Sequence, residues 1–178
     1  NAAGQLGVGD LKERPLPVKV ALPARIKRIA AGDTHSLALD EAGQLWAWGA
    51  NNFGQLGESA AANASARYAA FPVRIRADFK VARLDAGMFY SVATSTHGDV
   101  FAWGWNGLGQ LGADGIAASA KPLRIANLTN VTKISAGQAH VLAVNDFGVS
   151  AWGDNRSSAC GAMPTIAAQH KPARVAFA

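Results

Sequence analysis

Residues 30–57 read AAGDTHSLALDEAGQLWAWGANNFGQLG, and most of this phrase returns twice more along the chain. Its A-G pair recurs at Gly87 and Gly137, and its W-G pair recurs at Trp103 and Trp152. Counted from one A-G glycine to the next, the copies stand 55 and 50 residues apart. A motif that returns at such a period indicates an architecture built from repeats rather than a single irregular core.

Each unit contains short apolar runs that are separated by turn residues, and no run is long enough for a helix of ordinary length. In the LWAWG segment both sets of alternating residues are apolar, so both faces of that strand are expected to be buried. A four-stranded unit that is repeated and buried on both faces is typical of a β-propeller blade. The four runs of the first unit, all predicted to be strands, are 17–20, 26–31, 35–40 and 44–49.

The chain contains three complete units and the end of a fourth. About thirteen strands are expected, which is about three to three and a half blades, whereas propellers close with about four to eight blades. The prediction is therefore an all-β fold that forms part of a larger propeller, completed by the remainder of a longer protein or by a second copy. The first residue is Asn rather than Met, which suggests a processed or excised piece. The predicted units are a tail over 1–25 and repeats over 26–76, 81–126 and 131–176.

The phrase G-Q-L-G has a mechanical interpretation. Gly54 and Gly109 allow a tight turn with a close backbone approach, and Gln55 and Gln110 are expected to fasten that turn through side-chain hydrogen bonds. In the third unit residues 158–160 read S-A-C in place of G-Q-L, which weakens the expectation of a turn there.

The overall composition excludes few classes of protein. The chain has 178 residues, of which 49% are hydrophobic and 16% are charged, a globular composition. One cysteine rules out an internal disulfide framework and leaves the cellular compartment open. The net charge of +5 is compatible with an acidic protein or a nucleic acid and is specific to neither. No apolar run is long enough to span a membrane.

The pattern A-A-G-x-x-H-S-L-A-L-D-x-x-G-x-L-W-A-W-G-x-N-x-x-G-Q-L-G, followed by P-x-P-V, resembles the regulator of chromosome condensation repeat. The resemblance covers nearly the whole chain, although Tyr90 stands where His35 and His140 stand in the other units. It implies a β-propeller, usually of seven blades. Members of that family include an exchange factor for a small GTPase, a plant ultraviolet receptor, modules of ubiquitin ligases and a secreted bacterial β-lactamase inhibitor.

Because one fold serves these different activities, the resemblance alone does not assign a function. The exchange factor relies on a wedge-like insertion that has no clear counterpart here, and the photoreceptor's W-R-H-T context is absent. A secreted enzyme inhibitor or a small-GTPase regulator therefore stays an analogy with the family.

The sequence carries no recognisable catalytic or metal-binding arrangement. His35 and Ser36 are adjacent on a predicted strand and point to opposite faces, so they do not form a dyad with each other. His35 and His140 hold repeat positions and are expected to be structural. No H-x-x-x-H, C-x-x-C or G-K-[ST] motif is present. We therefore expect a non-enzyme without catalytic residues, metal or cofactor.

One rim of the propeller is the predicted binding surface, because the loops there vary without breaking a blade. Trp105 fills the x of W-G-x-N, where Ala50 and Asp154 stand in the other units. Either its indole forms an exposed aromatic anchor for another protein, or it covers the end of its own blade. The predicted partner-binding residues are Asp33, Met88, Phe89, Trp105, Gln138 and Asp154, with Arg67 and Tyr68 of the longest loop.

The alternative function is binding of nucleic acid or another polyanion through basic bands around the body. It is weighed against the ordinary role of Lys and Arg on outer strands, which is to discourage edge-to-edge pairing. A protein partner of unknown identity is favoured over nucleic acid. Two repeat positions supply the basic residues: Lys19, Arg74, Arg124 and Arg174 at one, and Arg28, Arg83 and Lys133 at the other.

Overall fold

The computed structural model describes residues 1–58, 67–161 and 166–176, and these residues form strands, turns and irregular segments. The strands are β1 (Ile26–Ala31), β2 (His35–Asp40), β3 (Leu45–Ala50), β4 (Tyr68–Ile75), β5 (Val81–Ala86), β6 (Tyr90–Ser95), β7 (Val100–Trp105), β8 (Ala118–Arg124), β9 (Lys133–Ala136), β10 (His140–Asn145), β11 (Gly148–Asp154) and β12 (Ala168–Arg174).

The strands form three antiparallel sheets of four strands each, in chain order. We call them blade 1 (β1–β4), blade 2 (β5–β8) and blade 3 (β9–β12). The first strand of each blade contacts the first strand of the next, whereas β4, β8 and β12 lie at the outer edges of their sheets. This confirms the prediction of an all-β fold made of propeller blades that form part of a ring.

Two hydrophobic cores lie between the three blades. The first joins Leu37 of blade 1 to Trp103 of blade 2, and the second joins Val92 of blade 2 to Trp152 of blade 3. Every residue of β6 is buried, because blade 2 has a neighbour on both sides. In blade 3, which has one neighbour, the corresponding strand β10 alternates between buried and half-buried positions. Blade 1 also has one neighbouring blade, but the Gln5 loop packs on its other side, and five of the six residues of β2 are buried. Burial of both faces therefore requires a packing partner on each side of the blade.

The G-Q-L-G loops tie each blade to the next one. In each case the indole Nε1 of a W-G tryptophan donates to the main-chain oxygen of the glutamine in the preceding loop. The pairs are Trp48 with Gln5 at 2.8 Å, Trp103 with Gln55 at 2.9 Å and Trp152 with Gln110 at 3.0 Å. The W-G and G-Q-L-G motifs therefore recur together, because the G-Q-L-G loop of one repeat supplies the carbonyl oxygen to which the tryptophan of the next repeat donates.

The glutamine side chains fasten their own turns, as the sequence predicts. The amide nitrogens of Phe53 and Leu108 donate to Oε1 of Gln55 and Gln110, at 3.0 and 2.9 Å. Gly54, at φ 79°, also lies against the next blade, where a Cβ atom would come within 2.6 Å of the Ala120 Cα. These loops are thus fixed connectors between blades.

The third turn is retained in spite of its different sequence. Ser158 takes the left-handed conformation at φ 56°, and its amide nitrogen donates to the Asn155 oxygen at 2.8 Å. The Cys160 amide nitrogen donates to Asn155 Oδ1 at 3.0 Å, as the Leu56 amide donates to Asn51 Oδ1. The asparagine that opens each loop therefore preserves the turn, and the expected weakening does not occur.

One predicted strand is wrong. Residues 17–20 are irregular, and the described residues contain twelve strands rather than thirteen. The fourth strand of a blade is held by the third strand of the same sheet, and no described segment takes that place beside 17–20. Lys19 is consequently exposed on an irregular segment and does not stand on a strand.

Candidate functional site

Three aromatic side chains meet on the loop rim at the junction of blades 1 and 2. The ring centroids of Phe53 and Phe89 are 5.4 Å apart, those of Phe53 and Trp105 are 6.1 Å apart, and those of Phe89 and Trp105 are 6.3 Å apart with the rings nearly perpendicular. These are favourable separations for aromatic pairs. All three side chains are half-buried. We call Phe53, Phe89 and Trp105 the rim cluster.

Backbone pairing brings two members of the rim cluster together. Phe89 directly precedes β6 and Trp105 ends β7, and the Trp105 amide donates to the Phe89 oxygen at 2.9 Å. The two ends of an antiparallel pair meet at one edge of the sheet, which is why sequence reasoning places these residues side by side.

Phe53 is the member that the sequence prediction missed. It stands in the G-Q-L-G loop of blade 1, and that loop leans onto blade 2 through Gly54 and through the Gln55 carbonyl. The loop of blade 1 therefore places Phe53 against the Trp105 indole of blade 2. The sequence does distinguish Phe53 from its counterparts, because it is the aromatic residue at a position where the other units carry Ala3, Leu108 and Ser157.

The Trp105 indole has a defined orientation because it also lies over Gly107. A Cβ atom at Gly107 would come within 2.3 Å of the indole Cζ2. The corresponding positions in the other units carry Asn52 and Arg156, whose side chains would occupy this space. The indole thus covers the end of its own blade and presents its remaining surface at the rim.

The other predicted contact residues lie in different parts of the structure. Asp33 and Gln138 are exposed and line a small cavity of about 260 Å³, where the three A-G loops converge. The half-buried Met88 belongs to the same ring of loops, since its amide donates to the Gln138 oxygen at 2.9 Å.

The Asp154 side chain is paired with the side chain of Arg156, two residues along the chain. Its carboxylate accepts two hydrogen bonds from the Arg156 guanidinium, at 2.9 and 2.7 Å. These bonds hold the pKa of the Asp154 carboxyl below its usual value. Arg67 and Tyr68 are exposed, and the Arg67 oxygen accepts from the Asn51 amide at 2.8 Å. A part in binding stays a prediction for all of these residues.

The basic residues do not form one set of outer bands, which corrects the sequence interpretation. Arg74, Arg124 and Arg174 stand on outer-edge strands, whereas Arg28, Arg83 and Lys133 stand on the innermost strands. The innermost strands line the axis because the first strands of adjacent blades contact one another. The two repeat positions therefore face different surroundings.

The buried histidine of blade 1 has a structural role. His35 is fully buried, and its Nε2 lies 2.9 Å from Ser91 Oγ in blade 2. The Ser91 hydroxyl donates to the Gln55 oxygen at 2.8 Å, so Nε2 is the donor to Ser91 Oγ. Burial lowers the pKa of His35 to about 4, so the ring is neutral at neutral pH. In blade 2, Tyr90 makes the equivalent link through its hydroxyl, which donates to the His140 oxygen at 2.6 Å and lies 3.0 Å from the Gly137 oxygen.

Metal binding and cysteine reactivity can be assessed for the described part of the chain. It contains no group of three or more His, Cys, Asp or Glu side chains placed to share a metal ion. Burial raises the pKa of the Cys160 thiol to about 11, so the thiol is protonated at neutral pH and is a poor nucleophile. The same residues include no helix long and apolar enough to cross a membrane.

Comparison with known proteins agrees with this architecture. The model of the regulator of chromosome condensation (RCC1) repeat matches residues 1–39, 42–94 and 97–144, and a second model of that repeat matches residues 26–55. The chain therefore belongs to the family of RCC1-repeat proteins.

Among its relatives is the probable E3 ubiquitin-protein ligase HERC6 of Homo sapiens, 37% identical over 173 residues, which are 91% of this chain and 16% of HERC6. Human WBSCR16 superposes with a TM-score of 0.87 at 25% identity, over 99% of this chain and 46% of that one. Yeast RCC1 (Prp20), solved with Kap60 bound, superposes with a TM-score of 0.75 at 26% identity, over 86% of this chain and 37% of that one. The chain thus spans less than half the length of each.

Proposed function

We propose that this chain is a non-enzymatic protein-interaction module that binds its partner through the loop rim, with the rim cluster as the anchor. The observation that carries the proposal is the position of Trp105. The other units have no aromatic residue at this position of the W-G-x-N motif, whereas in blade 2 the indole packs against Phe53, Phe89 and Gly107. An aromatic side chain that is fixed before binding loses little conformational entropy when a partner covers it.

A few residues carry most of the binding energy at protein interfaces, and tryptophan is enriched among them. Yeast RCC1 (Prp20), which contains a related arc of blades, is solved bound to Kap60, and this supports a protein as the partner class. The identity of the partner does not follow, since this chain covers 37% of that protein.

We propose further that more blades continue the arc, in the remainder of a longer protein or in a second copy. In blade 1, Ile29 is 77% exposed, whereas Leu84, at the same repeat position in blade 2, is 9% exposed and lies in the first core. An exposed isoleucine at a position that is otherwise packed against a neighbouring blade indicates where such a neighbour would lie.

The test uses a phage-displayed library of random peptides as the probe, selected against the whole chain. The dissociation constant of the best peptide is then measured for the wild type and for Trp105→Ala. We expect the variant to bind about 30-fold more weakly, as for the truncation of an aromatic hot spot worth about 2 kcal/mol.

The matched control is Phe147→Ala, which removes a 65% exposed phenylalanine from a hairpin on the opposite rim. Its affinity for the peptide should equal that of the wild type. Peptides that bind Trp105→Ala as tightly as the wild type, or a selection that enriches no peptide, would contradict the proposal.

A further inference from the structure

A second surface, on the face that carries the hairpin tips, has a different character. A groove of about 930 Å³ runs between the outer part of blade 1 and the start of blade 2. Its lining includes the hairpin at 41–45, the end of β4 and the connection that leads into β5. Four cationic side chains line it: Lys27 of β1, Arg74 of β4, and Arg76 and Lys80 of the connection between β4 and β5. We call this the basic groove.

The cations of the basic groove outnumber its carboxylates. Glu41 and Asp78 are the acidic residues in its lining. Among the described residues, the ion pairs join other side chains and involve none of the four cations. All four are exposed, so their positive charge acts on the groove without being neutralised by a bonded carboxylate.

Comparison of the repeats shows why Arg74 is available. Arg74 lies opposite Trp46 in blade 1, and Arg124 lies opposite Phe101 at the same position in blade 2. In blade 2, Asp99 accepts two hydrogen bonds from the Arg124 guanidinium, at 3.1 and 2.5 Å.

In blade 1 the residue that corresponds to Asp99 is Gln44, which also lines the groove. A neutral amide has therefore replaced the carboxylate that holds the arginine in the next repeat. The positive charge of Arg74 is left for another anion.

A smaller cavity of about 350 Å³ extends the positive region toward the propeller axis. It shares Lys27 with the basic groove and is also lined by Arg28 and Arg83 of the innermost strands. Clefts lined by one sign of charge concentrate counter-ions, and the effect grows as the charges converge. The two cavities together place six cations around one region of the face.

We propose that the basic groove binds a compact anion that carries several phosphate groups. Guanidinium groups match the geometry of phosphate oxygens and donate paired hydrogen bonds to them. The volume of the groove is within the range of small-ligand sites, about 300–1,000 Å³. A long nucleic-acid strand is less suited, because the unpaired cations converge on one groove while Arg124 in the next blade is already held by Asp99.

The experiment is calorimetric titration of the whole chain with inositol hexakisphosphate at fixed ionic strength. Wild type should bind, and Arg74→Ala should weaken binding about tenfold or more, as for the loss of a charged hydrogen bond. Gln44→Asp, which restores the carboxylate that blade 2 already carries, should weaken binding to a similar degree without removing any groove cation. The control Arg124→Ala should change the affinity by less than about twofold, because that arginine lies outside the groove.

Further titrations with inorganic triphosphate, a single-stranded oligonucleotide and polyglutamate separate the classes of anion. Binding of both phosphate compounds in preference to the other two supports the proposal. Absence of binding to wild type, an equal loss in Arg124→Ala, or tighter binding of the oligonucleotide or of polyglutamate would overturn it. The loop-rim proposal is independent, since Trp105→Ala leaves the basic groove intact.

Discussion

Replacement of Trp103 by alanine should lower the free energy of unfolding by about 3–5 kcal/mol, the cost of emptying a buried aromatic site. Trp103 is fully buried in the core between blades 1 and 2. The variant also loses the hydrogen bond from the indole Nε1 to the Gln55 oxygen, which would keep its second donor, Ser91 Oγ. Chemical denaturation followed by circular dichroism measures the change.

Two further variants make this result specific. Trp103→Phe keeps an aromatic ring and loses the indole donor, so it should cost clearly less than Trp103→Ala. Trp105→Ala, two residues away, removes a half-buried indole at the rim and should also cost less. If Trp103→Ala were no more destabilising than Trp105→Ala, burial of Trp103 in the core between blades 1 and 2 would not stabilise the fold as argued.

Acid should destabilise the protein through His35. The unfolded histidine takes up a proton near pH 6.5, whereas burial lowers the pKa of the folded one to about 4. Between these two values the unfolded state binds more protons, so the stability contributed by the neutral ring is complete above pH 6.5 and is lost as the pH falls toward 4. The loss amounts to about 3 kcal/mol over this interval.

His35→Gln isolates the effect of the imidazole. A glutamine amide can still donate to Ser91 Oγ and does not titrate, so the free energy of unfolding of this variant should vary much less between pH 6.5 and 4. The carboxylates titrate in both proteins, and the difference between the two pH profiles therefore reports His35 alone. Parallel profiles would show that His35 is not a buried neutral ring.

The repeated phrase predicts most of the fold, because the strand pattern and the turns are local properties of the chain. Alternating apolar residues place the strands, and the link from Gln55 to its own turn could be predicted from a single repeat. The strand expected at 17–20 is wrong because a strand needs a partner for its hydrogen bonds, and a local pattern does not supply one.

The contacts between blades could not be predicted from one repeat. The repeat position of His35 indicates a structural role but does not show that the ring contacts Ser91 of the next blade. For the same reason the sequence does not predict that Phe53, in a loop of blade 1, contacts the Trp105 indole of blade 2. A repeat position also does not show which strand faces the axis, so the sequence does not predict that Arg28 lies on an innermost strand and Arg74 on an outer one. These properties arise from stacking, which depends on residues far apart in the sequence.

Nuclear magnetic resonance locates the binding surface of the whole chain residue by residue. Amide and indole chemical shifts of the whole chain are recorded while the selected peptide is added. We expect the largest shift changes at Phe53, Phe89, Trp105 and Gly107, and no change at the hairpin that carries Phe147. If the largest changes fall on that hairpin, or on strands β1 and β10, the rim cluster is not the binding surface.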